Sequence, residues 1–266
     1  MIDRFLPAER RLRLRSRARA TLPGVVALAV GILAWELVGR LLSLRYLPPF
    51  SAVIARLVEM LVDGDLLRLA VTSLTNLVIG FAIAVVFGVA IGALMGASRR
   101  VEAMLDIWVY ALLTAPSIVF APIFFTLFGL GRESIIAVIV MYSIFVIIID
   151  TMAGVHAVSD DLREMARSFG ASRPRMVWRV LLPGAMPLVF AGLRLGAGRA
   201  VKGMVNGEMF IAIVGIGGAL VRSGQLFDAD SVLAIMLFLI VIAFGVVWLV
   251  TALERRTLRW MPATSR

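Results

Sequence analysis

The residues able to do chemistry in this chain lie in two places. Between Phe190 and Val214 an otherwise apolar segment carries Arg194, Arg199, Lys202, Asn206 and Glu208. An ionisable group in hydrocarbon costs roughly 2.5–3.5 kcal/mol on insertion scales, so such groups face a cavity, a partner or the interface. At about 100° per residue, Arg199, Lys202 and Asn206 fall within about 60° of one another and share a helix face. Two readings are open. In one, Arg199, Lys202, Asn206 and Glu208 line a translocation path or a dimer interface whose positive charge suits an anion. In the other, Arg194 and Arg199 extend to the interface on their long stems and Lys202 pairs with Glu208.

The second place is "REMARSFGASRPRMVWRVLLPGAMP", Arg163 to Pro187, which sets five arginines, three prolines and a glutamate between apolar runs. Ser159 or Asp160 starts a helix with Asp160, Asp161 and Glu164 near its positive end. Gly170 offers a left-handed stop. Ser172 starts a second helix with Pro174 in its first turn, where a missing N–H does no harm, and Pro183 is expected to end it. That helix turns Met176, Val177, Val180 and Leu181 to one side and Arg173, Arg175 and Arg179 largely to the other. A structured loop of about 30 residues between otherwise short connections points to a docking role.

Covalent chemistry finds no support. The chain has no cysteine and one histidine, His156, too few for thiolate chemistry, a metal site or a Ser-His-Asp arrangement. No G-x-x-x-x-G-K-[ST] pattern occurs to cradle nucleotide phosphates. The expectation is a non-enzyme that binds no cofactor itself.

The elements that must position these residues are set by the solvent. With 61% hydrophobic residues and a mean hydropathy of +0.98, the chain reads as a helical membrane protein. Six segments can each cross a hydrocarbon core of about 30 Å: 23–42, 71–97, 104–128, 134–152, 188–214 and 231–253. The arginines of the 1–22 arm, Arg99 and Arg100, the 153–187 loop, and the tail from Arg255 to Arg266 then fall on one side. The positive-inside rule makes that side, with both termini, cytoplasmic. The formal charge of +10 is therefore topological and faces membrane lipid. A nucleic-acid partner is not expected, because tethering removes the sliding access of DNA readers.

On the outer side, "LPPFSAVIARLVEMLVDGDLL" reads as a short amphipathic helix capped by Ser51 and stopped by Gly64. Pro116 and Pro122 are expected to bend the third span where it lines a cavity or moves. The pairs Gly192/Gly196 and Gly203/Gly207 permit close helix packing, and Glu36 inside the first span calls for a partner. The whole chain, 1–266, reads as one transmembrane domain.

Glu164, Ala166, Gly170, Val180, Leu182 and Pro183 resemble the "EAA" loop of bacterial ABC-importer permeases: E-A-A, three residues, G, nine residues, I, one residue, L-P. Met165 and Val180 depart mildly from it. The resemblance extends over most of the chain, through "WEL", "LPPFSAV", "GASRRVE" and "GLRLGAGRAVKGMVNGEMF", and is nearest the nitrate/sulfonate/taurine subfamily. It implies the type I importer permease fold in the bacterial inner membrane. It also implies a homodimer with two cytoplasmic ATPase subunits, which carry ATP and magnesium, and an extracytoplasmic substrate-binding protein. Glu164, Met165, Ala166, Gly170, Val180, Leu182 and Pro183 would then couple the permease to the ATPase, for import of a sulfonate-, nitrate- or carboxylate-like anion. The rival reading is an ion-gradient-driven secondary transporter or channel, which leaves the loop without a task.

Overall fold

Backbone groups in lipid must close their hydrogen bonds within the chain, and the elements here are helical throughout the described residues. A computed structural model describes residues 8–42, 46–211 and 214–259, with side chains from residue 23 onward except that of Arg173. Arg4, Arg45 and Arg266 lie outside the described residues, and the basic arm is described only as backbone from Ala8.

In chain order the helices are α1 (Ala8–Leu42), α2 (Phe50–Val62), α3 (Asp65–Ala97), α4 (Arg99–Thr114), α5 (Ala121–Phe128), α6 (Arg132–His156), α7 (Asp160–Ser168), α8 (Arg173–Met176), α9 (Leu182–Ile211), α10 (Gly215–Gln225) and α11 (Ala229–Thr257). Five stretches are long and apolar enough to cross a membrane: Pro23–Leu42, Asp65–Ala97, Arg132–His156, Pro174–Ile211 and Ala229–Thr257.

The centre is α6 between α3 and α9. Leu77, Ile135, Ile139, Ala200, Val201 and Met204 meet there, all buried. Glycine makes the approach close. A Cβ on Gly80 would lie 2.7 Å from Ile139 Cγ2 and one on Gly88 2.8 Å from Ile147 Cγ2, while one on Gly196 would lie 2.9 Å from Ile147 Cγ1. The expected packing role of Gly192, Gly196, Gly203 and Gly207 is met against α6, since Asp150, Ile147, Ile139 and Ile135 respectively occupy the space beside them.

The two ends of the bundle differ. At one, α3, α6 and α9 close over Ala93, Val155, Leu181 and Ala185, and Arg194 Nη1 reaches Glu254 Oε2 of α11 at 3.1 Å. At the other, Leu66 and Ala70 of α3 pack with Ile216 of α10, Ile235 of α11 and the inner face of α2. Arg56 of α2 is bound there to Ser231 Oγ at 2.8 Å and to Glu59 at 2.7 Å. The Glu59 hydrogen bond holds its guanidinium above the usual value.

Three expectations need correction. The third span is not a single bent helix: α4 and the pair formed by a 3₁₀ turn (Ser117–Phe120) and α5 meet at 97°. The break is at Pro116 alone, because a residue before proline is driven out of the α region, and Ala115 takes φ −62°, ψ 139°. Pro122 sits in the first turn of α5, where it is harmless. Ser51 does not cap α2; its N–H and hydroxyl both donate to Glu36, at 2.9 Å each, which together with Arg40 supplies the partner Glu36 required.

Pro183, third, does not end a helix. The backbone runs from α8 through one π turn (Val177–Leu181) directly into α9. Proline offers no N–H to the carbonyl four residues back, and a π turn is the local adjustment that re-routes the ladder around it. The 215–230 connection holds a helix of its own, α10. The Gly64 stop stands, with φ +80°.

Candidate functional site

The arginine-rich loop is a short helix on a stalk. Helix α6 ends at His156, and the chain turns through Ser159 into α7. Asp160 and Asp161 lie in the first turn of α7 and Arg167 in its last, the polarity that suits the helix dipole. At the far end Gly170 takes φ +73°, its N–H donating to Arg167 O at 2.9 Å while Ala171 N–H donates to Ala166 O at 3.0 Å. This is the paired bonding of a left-handed helix stop.

Arg163 ties α7 back to the bundle, its Nη2 donating to Val155 O at 2.6 Å. The opposite face is free. Glu164 is exposed, as are Leu162 (47%), Met165 (54%) and Phe169 (85%). Three large apolar side chains around one carboxylate on a two-turn helix form a knob suited to a cleft with an apolar floor and a cationic or polar contact. Sequence reasoning found Glu164, Met165, Ala166 and Gly170 but not Phe169, whose signal was its place directly before the turn glycine. Val180, Leu182 and Pro183 are half-buried beneath the knob, where Leu182 packs against the cluster of Val155 and Leu181. They support α7 rather than present a surface.

The polar residues of α9 divide. Arg199 is half-buried and Lys202 exposed, while Asn206 Nδ2 donates to the Tyr142 hydroxyl of α6 at 2.8 Å. Glu208 is elsewhere: nine residues beyond Arg199 is about half a turn round the helix, and its carboxylate is fully buried under the start of α10, accepting Gly217 N–H on Oε2 at 2.9 Å. The suggested Lys202–Glu208 pair is therefore not formed, and Glu208 does not share the face of Arg199 and Lys202. Arg194 has its partner in Glu254 rather than only the interface. Pro116 and Pro122 are both exposed beside the 97° break, and the Phe125 ring of α5 lies 6.0 Å from that of Phe210 near the end of α9, tilted by 46°.

The chain's likeness to known proteins spans both regions. The family described as "Binding-protein-dependent transport system inner membrane component" matches residues 84–259. The taurine transport system permease protein of Escherichia coli (strain K12) is 31% identical over 258 residues, covering 92% of this chain and 94% of that relative. A nitrate import permease protein of Synechococcus elongatus (strain ATCC 33912 / PCC 7942 / FACHB-805) is 32% identical over 207 residues, 74% of each. A bicarbonate transport system permease protein of the same organism is 32% identical over 157 residues, 58% of this chain and 56% of the relative.

Proposed function

The chain belongs to the inner membrane components of binding-protein-dependent transport systems, the permeases of ABC importers, and from that premise we propose that it carries a small anion inward as a homodimer driven through α7. Two cytoplasmic ATPase subunits, holding ATP and magnesium, would each receive one α7, and a binding protein would deliver substrate at the α2/α10 end. In this reading the arginine-rich end, with both termini, would lie in the cytoplasm.

The observation that carries this reading is the knob itself. Glu164, Met165 and Phe169 stand clear of the bundle, Gly170 sets the turn, and Val180, Leu182 and Pro183 brace the continuous helix behind it. Closure of the ATPases on ATP would carry the paired α7 helices together, and the rigid path from α8 through the π turn into α9 would pass that movement to the helix bearing Arg199 and Lys202. A gradient-driven carrier would leave the exposed apolar face of α7 with no occupant.

For the cargo, the named relatives handle taurine, nitrate and bicarbonate, each bearing an anionic oxygen group. Arg199 and Lys202 on one face of α9, near Asn206, offer cationic and hydrogen-bonding contacts to such a group. The test is to tag the protein, solubilise native membranes gently and identify what co-purifies, with Glu164→Ala and Gly170→Pro alongside. An ATPase subunit held by the wild type and lost from both variants supports the reading. A wild type that holds no ATPase contradicts it.

A further inference from the structure

Beside α7 opens a crevice of about 1250 Å³, between the last turns of α3, the start of α4 and the α8–π segment. Its volume exceeds the roughly 300–1,000 Å³ of a drug-sized site. Its two ends are chemically unlike. Along α3, Val86, Ala90 and Leu94 recur every fourth residue on one face and are exposed, Val86 at 64% and Leu94 at 56%. At the mouth stand Arg99, Arg100, Arg163 and Arg167; among the described residues no acid lines the crevice itself, and Asp160 and Glu164 stand on the α7 side of Arg163 and Arg167. Arg99, Arg100 and Arg167 form no ion pair among the described residues. Arg163 spends Nη2 on Val155 O, but its Nε is buried without a hydrogen-bond partner; Asp160 comes only to 4.0 Å of it and is itself fully exposed. Trp178 on the crevice wall is 67% exposed, and tryptophan favours the headgroup level of a bilayer.

An apolar channel that runs along a spanning helix and ends in four arginines, three of them without an ion pair among the described residues and the fourth with only the exposed Asp160 at 4.0 Å, matches one kind of molecule: a long hydrocarbon chain attached to an anionic head. We propose that the crevice binds an anionic phospholipid, its phosphate on Arg99, Arg100, Arg163 and Arg167 and one acyl chain along Val86, Ala90 and Leu94. The lipid would bridge α7 to the α3–α4 corner, so that the position of the knob depends on the membrane's anionic content. Free phosphate would satisfy the arginines but leave the apolar wall bare. A second copy of the chain would have to bring acids to the arginines. This inference goes beyond the transport reading and needs only that the chain sits in a bilayer.

The test uses the full chain, purified in detergent, and measures retained phosphatidylglycerol against phosphatidylcholine by native mass spectrometry. Wild type is expected to hold phosphatidylglycerol at least about ten-fold better. Each arginine near an anionic surface contributes about a five-fold factor, so Arg99→Ala/Arg100→Ala should lose about 25-fold. Ala90→Trp, which fills the open acyl channel with all four arginines intact, should lose the lipid as well. Arg255→Ala/Arg256→Ala, at the exposed end of α11, should retain it, and excess inorganic phosphate should not displace it. The proposal is overturned if the two lipids are held equally, or if the Arg255/Arg256 change costs as much as the Arg99/Arg100 change. It is equally overturned if phosphate alone strips the lipid, or if Ala90→Trp keeps the lipid and instead dissociates a dimer.

Discussion

Glu208 and Gly217 form the joint on which the α9–α10 reversal turns: the fully buried carboxylate accepts the Gly217 N–H at 2.9 Å, at the positive end of α10. Next to it Ile216 N–H donates to Ser73 Oγ at 3.0 Å, so the first amides of α10 are bonded to α9 and α3 rather than to water. Gly215 makes the joint, with φ +70° and no room for a Cβ beside the Glu208 carboxylate.

Glu208→Ala should therefore lower the thermal unfolding midpoint in detergent, by the equivalent of about 1–3 kcal/mol for a buried donor left unpaired. Glu208→Gln keeps a carbonyl oxygen for Gly217 and should lose less. Gly215→Ala combines a left-handed strain of about 1–2 kcal/mol with the collision and should be at least as damaging as Glu208→Ala. An alanine variant as stable as wild type would mean the joint is idle.

The glycine seam between α3 and α6 gives a second, contrasting pair. A Cβ on Gly92 would run into Ile148 O, whereas Gly198 of α9 has nothing within 4 Å. Gly92→Val should force the helices apart, costing about 1–3 kcal/mol as overpacked cores do. Gly198→Ala should be neutral or slightly stabilising, since alanine is the better helix former. The check is the unfolding midpoint of each; similar losses for both would contradict the packing account.

Arg194 and Glu254, at 3.1 Å, link α9 to α11 with side-chain exposures of 33% and 18%. Removing one partner strands the other, so Arg194→Ala and Glu254→Ala should each destabilise, while the double variant should be no worse than the poorer single one. A double-mutant cycle on unfolding midpoints measures this coupling, expected within about 0.5–3 kcal/mol for residues in contact. Strictly additive losses would show that the pair contributes nothing.

Asp228 supplies a pH dependence at the other end. Burial raises its pKa, but hydrogen bonds from the Ser231 hydroxyl and amide, with the charge of Arg56, outweigh that and hold the carboxyl below its ordinary value. A depressed carboxylate contributes stability that is present above its unfolded pKa and is lost as pH falls through its folded one. Acidification should thus loosen the α2–α11 contact, and Asp228→Asn should flatten that part of the pH profile. Hydrogen exchange in α2 at pH 3 and pH 7 reads the effect; an unchanged acid response in the variant would refute it.

The spans, the basic end and the loop motif were legible because each depends on local chemistry: apolar length, charge placement and a turn glycine at Gly170. Glu36 announced a partner because a lone carboxylate in an apolar run needs one. What stayed hidden depended on how the chain folds back on itself. Glu208 sits in the same charged block as Arg199 and Lys202 yet on the other side of the helix, and its partner is a backbone amide in a glycine-rich run, Gly215 to Gly218, with no side chain to announce it. Pro183 read as a stop because the usual rule ignores the π turn that lets a helix continue past proline. Phe169 carries one local signal, its place directly before Gly170; its 85% exposure is a fact of shape.

The central claim, that α7 transmits ATP hydrolysis into transport, is tested most directly in proteoliposomes holding the tagged chain, its co-purified ATPase and its binding protein, by recording anion uptake and ATP hydrolysis together. Wild type should take up anion only with ATP. Glu164→Ala/Phe169→Ala, both exposed and so expected to leave the fold intact, should reduce uptake at least ten-fold while the unfolding midpoint holds. Uptake driven by an ion gradient without ATP, or uptake unchanged in the double variant, would contradict the account.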